Sequence, residues 1–455
     1  MVRDVRLIRS PISIAGMVLT TVSAATFLVV FFADLFGLHT NPYLGILFFL
    51  VLPGIFIVGL VLIPFGAWIE RRRRARGRAA ETHWPRVDLN DPIQRRAAVI
   101  VFGLTIANVV IVSLAAYRGV EYMDSPQFCG QVCHAVMKPE FSAYQDSAHS
   151  RVACVQCHIG PGASWFARSK VSGLRQVFAV SFHTYSRPIP SPVQNLRPAR
   201  DTCEQCHWPE KFHGDKIRRV VEYGEDEKNT ESVTTLQVHV GGGSERLGIA
   251  QGIHWHMNVA NEVEYIATDE KRQVIPWVRV KDRTGAEREY VADGVTPDQL
   301  AKGERRRMDC MDCHNRPAHP MAPTPERAVN ERMSSGEIPP TLPFVRREAV
   351  KALKAGYASQ EAAGDAIARA LREFYRAQAS DVYMSQRQDV EKAVNATTDI
   401  YRRSVFPEMN VQFGTYPNNI GHMDFPGCFR CHDDNHKTKD GRKIGQDCDS
   451  CHSIQ

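Results

Sequence analysis

Six short cysteine and histidine motifs contain the residues whose types and spacing could do chemistry. The first, at Cys129, Cys133 and His134, reads C-x-x-x-C-H, and the others read C-x-x-C-H. This pattern is typical of c-type haem attachment, in which two thiols bond to the porphyrin and the adjoining histidine binds the iron. The five regular motifs are Cys154, Cys157 and His158; Cys203, Cys206 and His207; Cys310, Cys313 and His314; Cys428, Cys431 and His432; and Cys448, Cys451 and His452.

These motifs account for all twelve cysteines of the 455-residue chain. A single C-x-x-C could be half of a zinc site or a redox dithiol. Histidine, however, occurs only seventeen times in the sequence, and it follows every one of the six cysteine pairs. We therefore predict a cytochrome c with six covalently bound haem c groups. Its fold should be mainly α-helical with much irregular structure, because the haems supply part of the apolar interior.

The basic surplus of the chain is confined to its first part. Residues 1–96 carry twelve arginines against six acidic residues, whereas residues 97–455 carry 44 basic and 44 acidic residues. This distribution indicates membrane topology rather than a nucleic-acid surface, so we expect no nucleic acid partner. Thioether attachment takes place outside the cytoplasm, where free cysteines would risk disulfide formation.

Three uncharged runs predict three transmembrane helices, because each is long enough to cross about 30 Å of hydrocarbon. The first could instead be a signal peptide, but its length and the span that follows favour a retained helix. Pro53 and Pro64 in the second run would kink a helix without excluding one. The runs are Ile12–Ala33, Leu44–Ile69 and Ala97–Tyr117.

The orientation in the membrane follows from the basic residues of the short loops. The loop His39–Tyr43 has none, whereas the segment Arg71–Arg96 has nine. We therefore expect the N-terminus and the arginine-rich loop in the cytoplasm of a bacterium. The haem-bearing part should then be periplasmic, anchored to the cytoplasmic (inner) membrane.

Beyond His207, alternating valine, isoleucine and threonine predict a small β-rich insert with strands near Ser232–Val240, Glu262–Ile266 and Val274–Val280. Prolines between Pro320 and Pro343 predict an extended connector. Two helices should follow, at Ser359–Gln378 and Ser385–Arg403. The last forty residues are predicted to be a loop-rich section with two haems.

These features divide the chain into six predicted sections. They are a three-helix membrane anchor at 1–118, a section with the first three haems at 119–215, the β-rich insert at 216–304, a fourth haem site at 305–325, the proline-rich connector and helices at 326–410, and a C-terminal dihaem section at 411–455.

The order of a membrane helix, a first haem motif, His149 and a second haem motif resembles the NapC/NirT family of membrane-anchored quinol dehydrogenases. The fourth motif has the same C-x-x-C-H-x-x-x-A-H form as the last motif of that family, which makes His319 its final residue. The resemblance covers about Ala97–His213 and Met308–Met321. Two additional membrane helices, the β-rich insert, the irregular first motif and the C-terminal dihaem section depart from the family.

The resemblance implies roles for two further residues. In the family, a methionine soon after the first motif ligates the haem nearest the membrane. The matching residue is Met137, but the extra motif residue leaves either Met137 or His134 as the ligand. Lys170 matches a family lysine at the quinol pocket, with Arg168 and Arg175 nearby. Ser172 stands where the family has an acidic residue.

Six irons also need second axial ligands if most are six-coordinate. The family resemblance implies His149 and His319. Position beside the last two motifs favours His422 and His436. His213, His254 and His256 compete for the fifth place, and strand alternation over residues 253–258 would put the last two on one face. His183 and His239 are weaker candidates.

These predictions indicate a cytochrome that oxidises membrane quinol, with menaquinol the expected substrate. Its partners would be the quinol pool, the lipid bilayer and a periplasmic or outer-membrane electron acceptor protein. One alternative is a terminal reductase of a small oxyanion or nitrogen oxide. Another is a haem subunit within a larger respiratory complex.

Overall fold

A computed structural model describes most of the chain and divides it into two compact units, residues 1–135 and 136–455. The described residues are 10–35, 51–75, 88–133, 135–160, 162–193, 196–212, 214–241, 252–257, 261–282 and 284–455. The loop His39–Tyr43 lies outside these ranges, as do residues 76–87 of the arginine-rich segment.

The first unit contains the three predicted apolar helices, each long enough to cross a membrane. They are α1 (Pro11–Leu35), α2 (Leu52–Ala75) and α3 (Pro92–Met123). Asp91 caps α3 by accepting a hydrogen bond from the Ile93 N–H, and Pro92 occupies the first turn, where its missing N–H costs nothing. The helix runs past the predicted end at Tyr117. An ion pair between Arg118 and Glu121, with N···O at 2.8 Å, lies in its last turns.

Helices α1 and α2 pack closely because glycines lie at their contact. A Cβ atom on Gly16 would come within 2.7 Å of the Gly59 carbonyl oxygen. The Ser13 hydroxyl donates to the Ile63 carbonyl oxygen at 2.9 Å. Small residues of this kind let two apolar helices approach without a polar core between them.

The described part of the second unit contains more helix than strand, with long irregular segments between its elements, as predicted. Its helices are α4 (Lys138–Gln145), α5 (Cys154–His158), α6 (Ala163–Ser181), α7 (Ala199–Cys203), α8 (Pro297–Lys302), α9 (Cys310–Cys313), α10 (Pro325–Ser334), α11 (Val345–Lys354), α12 (Gln360–Gln378), α13 (Ser380–Ser385) and α14 (Arg387–Ser404). The predicted helices near residues 359–378 and 385–403 are therefore confirmed as α12 and α14.

The predicted β-rich insert is present and forms parts of two antiparallel sheets. Its strands are β1 (Lys216–Tyr223), β2 (Glu231–Val238), β3 (Glu262–Ala267), β4 (Trp277–Lys281) and β5 (Glu287–Val291), and they are followed by β6 (Glu304–Arg307) and β7 (His452–Ile454). The first sheet has the order β1-β2-β7 and the second β5-β4-β3-β6. Because Leu236 pairs with Ile454, the last residues of the chain complete the sheet that the insert begins.

The predicted extended connector after Pro320 is wrong in part, because it contains α10 and leads directly into α11. Thr324 caps α10 by accepting from the Arg327 N–H, and Pro325 occupies its first turn. Proline at this position favours a helix start rather than an extended chain.

Helices α10 to α14 then pack around a core that includes the fully buried Ile367 and Tyr375. The described residues of this core all lie outside the haem motifs, so its interior is formed by packed side chains. It positions the segment that leads to the last two motifs.

Candidate haem-binding sites

The described motifs of the second unit lie on short helical turns. On such a turn, cysteines three residues apart and the next histidine share one side. At the motifs of Cys203, Cys310 and Cys428, the histidine N–H donates to the carbonyl oxygen of the first cysteine at 2.8, 2.8 and 3.0 Å. This backbone conformation brings two thiols and one imidazole together, as covalent haem attachment requires.

The irregular first motif adopts a wider turn. Residues Phe128–Cys133 form one π-helical turn, and the Cys129 N–H donates to the Ser125 carbonyl oxygen at 3.1 Å. A π-helix has more residues per turn, so it accommodates the extra residue between the cysteines. His134 lies outside the described residues, so the choice between it and Met137 stays a prediction.

Each motif histidine of the other five sites faces one further histidine. In every pair, one ring comes from a motif and the other from elsewhere in the chain. The ring-centroid distances are 6.2 Å for His158 and His319, 6.0 Å for His207 and His149, 6.3 Å for His314 and His254, 5.9 Å for His432 and His256, and 6.1 Å for His452 and His422.

This separation fits a metal between the rings. Two imidazoles on opposite sides of one metal, each bound through nitrogen at about 2 Å, have ring centres roughly 6 Å apart. The same spacing recurs in all five pairs, although the angle between ring planes varies from 4° to 82°. The residues therefore fit haem iron held by two histidines.

Backbone carbonyls orient five of these rings. In each case the carbonyl oxygen lies within hydrogen-bond distance of Nδ1, which leaves Nε2 for a metal. The contacts are His149 with Pro317 at 3.1 Å, His254 with Val240 at 3.0 Å, His256 with Ile253 at 2.9 Å, His319 with Glu140 at 2.8 Å, and His432 with Gly445 at 3.0 Å.

Burial keeps these imidazoles in the form that binds metals. It lowers the pKa of His319 to about 4, and it also lowers the pKa of its partner His158. The pKa values of His254, His256 and His314 are lowered by the same cause. A neutral imidazole can donate its nitrogen lone pair to iron, whereas a protonated one cannot.

The expectation that His436 is an axial ligand does not fit the structure. Its Nδ1 contacts the Asp433 carboxylate at 2.8 Å, and its Nε2 contacts the Ile275 carbonyl oxygen at 2.6 Å. With both ring nitrogens engaged and the side chain only 2% exposed, no nitrogen remains for iron. His239 contacts Asp215, and His213 lies outside the described residues.

Thiols of successive motifs are neighbours in space. The Cys203 thiol forms a hydrogen bond with Cys310, which raises the pKa of Cys203 and lowers that of Cys310. Elsewhere burial is the largest cause of the raised thiol pKa values, and a thiol of another motif adds to it. The neighbours are Cys157 with Cys206, Cys313 with Cys428, and Cys428 with Cys451. The five sites therefore follow one another in chain order.

Lys170 lies on α6, half-buried, and Ser172 is exposed one residue beyond Val171. The helix exposes large apolar side chains at Val171, Leu174, Val177, Phe178 and Phe182, which are 53–73% exposed. Cationic Arg168 and Arg175 are also exposed, and the Arg168 guanidinium lies 5.0 Å from the centre of the Trp165 ring. No acidic residue occurs between positions 159 and 200.

Sequence reasoning missed a buried polar cluster beside His319. It consists of Glu140, Arg316 and Tyr416, which are too far apart in the chain for any local pattern to connect them. The Arg316 guanidinium lies 4.3 Å from the centre of the Tyr416 ring, and its Nε donates to the His319 carbonyl oxygen at 2.9 Å. Burial raises the pKa of Glu140, and Arg316 opposes this rise.

Comparison with known proteins identifies similar membrane cytochromes. A model of the NapC/NirT cytochrome c family, N-terminal region, matches residues 92–189. Cytochrome c-type protein ImcH of Geobacter sulfurreducens is 43% identical over 448 residues, which are 98% of this chain and 88% of that protein. Cytochrome c-type protein NrfH of Wolinella succinogenes is 26% identical over 116 residues, 24% of this chain and 63% of that protein. No solved structure matches the chain.

The haem-attachment motifs and the three apolar helices define a membrane-anchored multihaem c-type cytochrome, which binds its haem covalently. Because ImcH is 43% identical over 98% of this chain, the chain belongs to the NapC/NirT cytochrome c family. The predicted fold class and the family resemblance are thus confirmed. The region matched by the family model includes α3, the first two motifs and Lys170.

Proposed function

We propose that this chain is a hexahaem cytochrome that oxidises membrane quinol and delivers electrons to a periplasmic or outer-membrane acceptor protein. The observation that carries the proposal is the set of five facing histidine pairs. Haem iron with an imidazole on each side exchanges single electrons and offers no free position to a substrate. The spatial order of the motif thiols supports a continuous path from one site to the next.

Three second axial ligands follow from the pairs. His319 serves the haem at Cys154 and Cys157, and His149 serves the haem at Cys203 and Cys206. His422 serves the haem at Cys448 and Cys451. Their rings lie 6.0–6.2 Å from the corresponding motif histidines.

Helix α6 supports the assignment of quinol as the electron donor. Its exposed apolar residues Val171, Leu174 and Phe178 are interspersed with Arg168, Lys170 and Arg175. A helix of this composition favours the boundary between lipid tails and anionic headgroups. Quinol dissolves in the lipid, so a site on this helix can receive it directly.

Lys170 is the residue proposed to bind the quinol head group. As quinol loses its two protons, negative charge develops on its oxygens, and a nearby ammonium group stabilises that charge where water is partly excluded. Menaquinol is the proposed substrate. With Ser172 two residues away, the proton acceptor is not the carboxylate that the family pattern has.

The test compares Lys170→Ala with Lys170→Arg in the purified, haem-loaded protein. We expect Lys170→Ala to slow reduction by a menaquinol analogue at least tenfold and Lys170→Arg to slow it less. Reduction by dithionite, which needs no quinol site, should be the same in all three proteins. Unchanged menaquinol reduction in Lys170→Ala would reject Lys170 as part of the site.

The proposed location is the cytoplasmic membrane of a bacterium, with the haem-bearing unit in the periplasm. A terminal reductase would instead need an open iron position away from the membrane. The electron paramagnetic resonance spectrum of the oxidised protein separates these functions. The proposed function predicts at most one high-spin haem, and this haem should disappear when Cys129 and Cys133 are both replaced by alanine.

A further inference from the structure

One short turn of the β-rich insert contacts two different haem sites. Residues Ile253–Met257 form a 3₁₀-helical turn with the sequence IHWHM. The ring of His254 faces His314 at 6.3 Å, and the ring of His256 faces His432 at 5.9 Å. The two partners belong to the motifs at Cys310 and Cys428.

The turn geometry explains how neighbouring histidines reach separate partners. A 3₁₀-helix has three residues per turn, so residues two apart point in directions about 120° from each other. The strand expected over these residues is absent, because they form a 3₁₀-helical turn. Alternation along a strand would have put both rings on one face. In the observed turn, one imidazole faces each motif histidine.

The turn is held rigidly in place. The Ile253 N–H donates to the His239 carbonyl oxygen at 2.9 Å, and the His254 N–H donates to the Val240 carbonyl oxygen at 3.1 Å. Gly252 precedes the turn with a φ of +73°, and a Cβ there would lie 2.4 Å from the His239 carbonyl oxygen. Only glycine fits this approach without displacement of the backbone.

The surroundings of the turn also join the two sites. Trp255 and Cys431 both pack against the buried core of the sheet that contains β3 and β4. The Trp255 ring lies edge-on to His256, with centroids 5.6 Å apart, and the Phe212 ring lies 4.7 Å from His254.

We propose that His254 and His256 are the second axial ligands of two adjacent haems, those at Cys310 and Cys313 and at Cys428 and Cys431. The turn would then connect the haem module that resembles the family with the C-terminal dihaem section. Because two residues of a 3₁₀-helix rise by only about 4 Å, the two irons are held in a fixed relation by one rigid segment. This inference rests on the proposed haem occupancy and is independent of the electron donor.

The experiment uses full-length, haem-loaded protein with His254→Ala, His256→Ala or both. All twelve cysteines remain, so the mass should still show six haems. We expect each single variant to have one more high-spin haem than the parent, and the double variant two more, in electron paramagnetic resonance spectra. After reduction, each added high-spin haem should bind one carbon monoxide molecule.

His239→Ala is the matched control, since His239 lies beside the same turn and contacts Asp215 at 3.1 Å rather than a motif histidine. It should leave the high-spin count unchanged. His254→Met and His256→Met provide a second measurement if the alanine variants load haem poorly. Methionine ligation should keep each iron low-spin and raise the reduction potential of that haem, as in cytochromes with histidine and methionine ligands.

The assignment of each ligand to its site is tested in a Cys428→Ala/Cys431→Ala background, which lacks one haem. There, His256→Ala should add no high-spin haem, whereas His254→Ala should add one. The proposal is overturned if neither single variant changes the spin state while six haems remain. It is also overturned if His256→Ala adds a high-spin haem in the background without that site. A parent protein that menaquinol does not reduce, although the histidine variants change the spin state as expected, would count against the quinol proposal alone.

Discussion

At the scale of single residues, Arg316 organises the surroundings of His319. It is the cation closest to the buried carboxyl of Glu140, whose side chain is only 9% exposed. Its Nε donates to the His319 carbonyl oxygen, and the ring of Tyr416 covers one face of the guanidinium. Glu140 in turn accepts a hydrogen bond at its backbone oxygen from the His319 ring. The Arg316 guanidinium thus holds the backbone of His319, and the Glu140 backbone oxygen orients its ring.

We expect Arg316→Met to lower the free energy of unfolding by about 1–3 kcal/mol, because it removes the hydrogen bond to the His319 carbonyl oxygen and the positive charge that favours the buried Glu140 carboxylate. Thermal unfolding followed by far-ultraviolet circular dichroism measures the loss. Glu140→Gln combined with Arg316→Met should recover part of it, since no unpaired carboxylate then remains. Lys392→Met is the control, because its ion pair with Asp389 is exposed and should contribute at most about 1 kcal/mol. Equal stability of Arg316→Met and the parent would contradict this role.

At the scale of elements, the tip of the β1–β2 hairpin fastens the insert to the helical section. Asn229 is 2% exposed and adopts a φ of +48°. Its side-chain amide donates to the carbonyl oxygens of Pro340 and Leu342 at 3.0 and 2.8 Å, and its oxygen accepts from the Arg346 N–H at 3.1 Å. Asparagine suits this position because it tolerates a left-handed backbone and forms hydrogen bonds with three backbone groups at and just before the start of α11.

Asn229→Ala should lower the free energy of unfolding by about 1–3 kcal/mol, because it leaves buried backbone groups of the helical section without partners. Asn229→Asp keeps an acceptor for the Arg346 N–H but cannot donate to the two carbonyls, so it should cost as much or more. Asn229→Gly loses the same hydrogen bonds but tolerates the positive φ, so the difference between the alanine and glycine variants measures the backbone strain alone. Urea unfolding of the three variants measures the order. Unchanged stability of Asn229→Gly would show that the hydrogen bonds contribute nothing.

At the scale of the whole molecule, local patterns predicted the membrane helices, three of the five strands of the insert and the haem motifs. Each of these depends on a short segment, such as a cysteine pair followed by histidine. Contacts between distant segments could not be predicted, which is why His436 was expected to bind iron and its contact with Ile275 was not foreseen. His254 and His256 were recognised as candidates, but only the 3₁₀ turn showed that they face different motif histidines.

The whole-molecule haem count gives a direct prediction. Since all twelve cysteines lie in motifs, the intact protein should exceed the mass of its chain by six haems. Replacement of both cysteines in any one motif by alanine should remove one haem. Mass spectrometry of the denatured protein measures the count, because thioether bonds survive denaturation. A parent with five haems and free thiols at Cys129 and Cys133 would show that the irregular motif is not used.

The topology of the anchor gives the last prediction. Arg72 lies near the end of α2, with its guanidinium 4.0 Å from the centre of the Trp68 ring, and tryptophan and arginine together are typical of the membrane–water interface. The basic residues that follow should keep this end of α2 in the cytoplasm, as the positive-inside rule requires. A reporter that fluoresces only in the cytoplasm should therefore be bright when fused after Arg78 and dark when fused after Gln455. Alkaline phosphatase, active only in the periplasm, should give the opposite result at both positions. A bright C-terminal fusion beside a dark fusion at Arg78 would place the haem-bearing unit in the cytoplasm, where thioether attachment does not occur, and would contradict both the orientation and the proposed function.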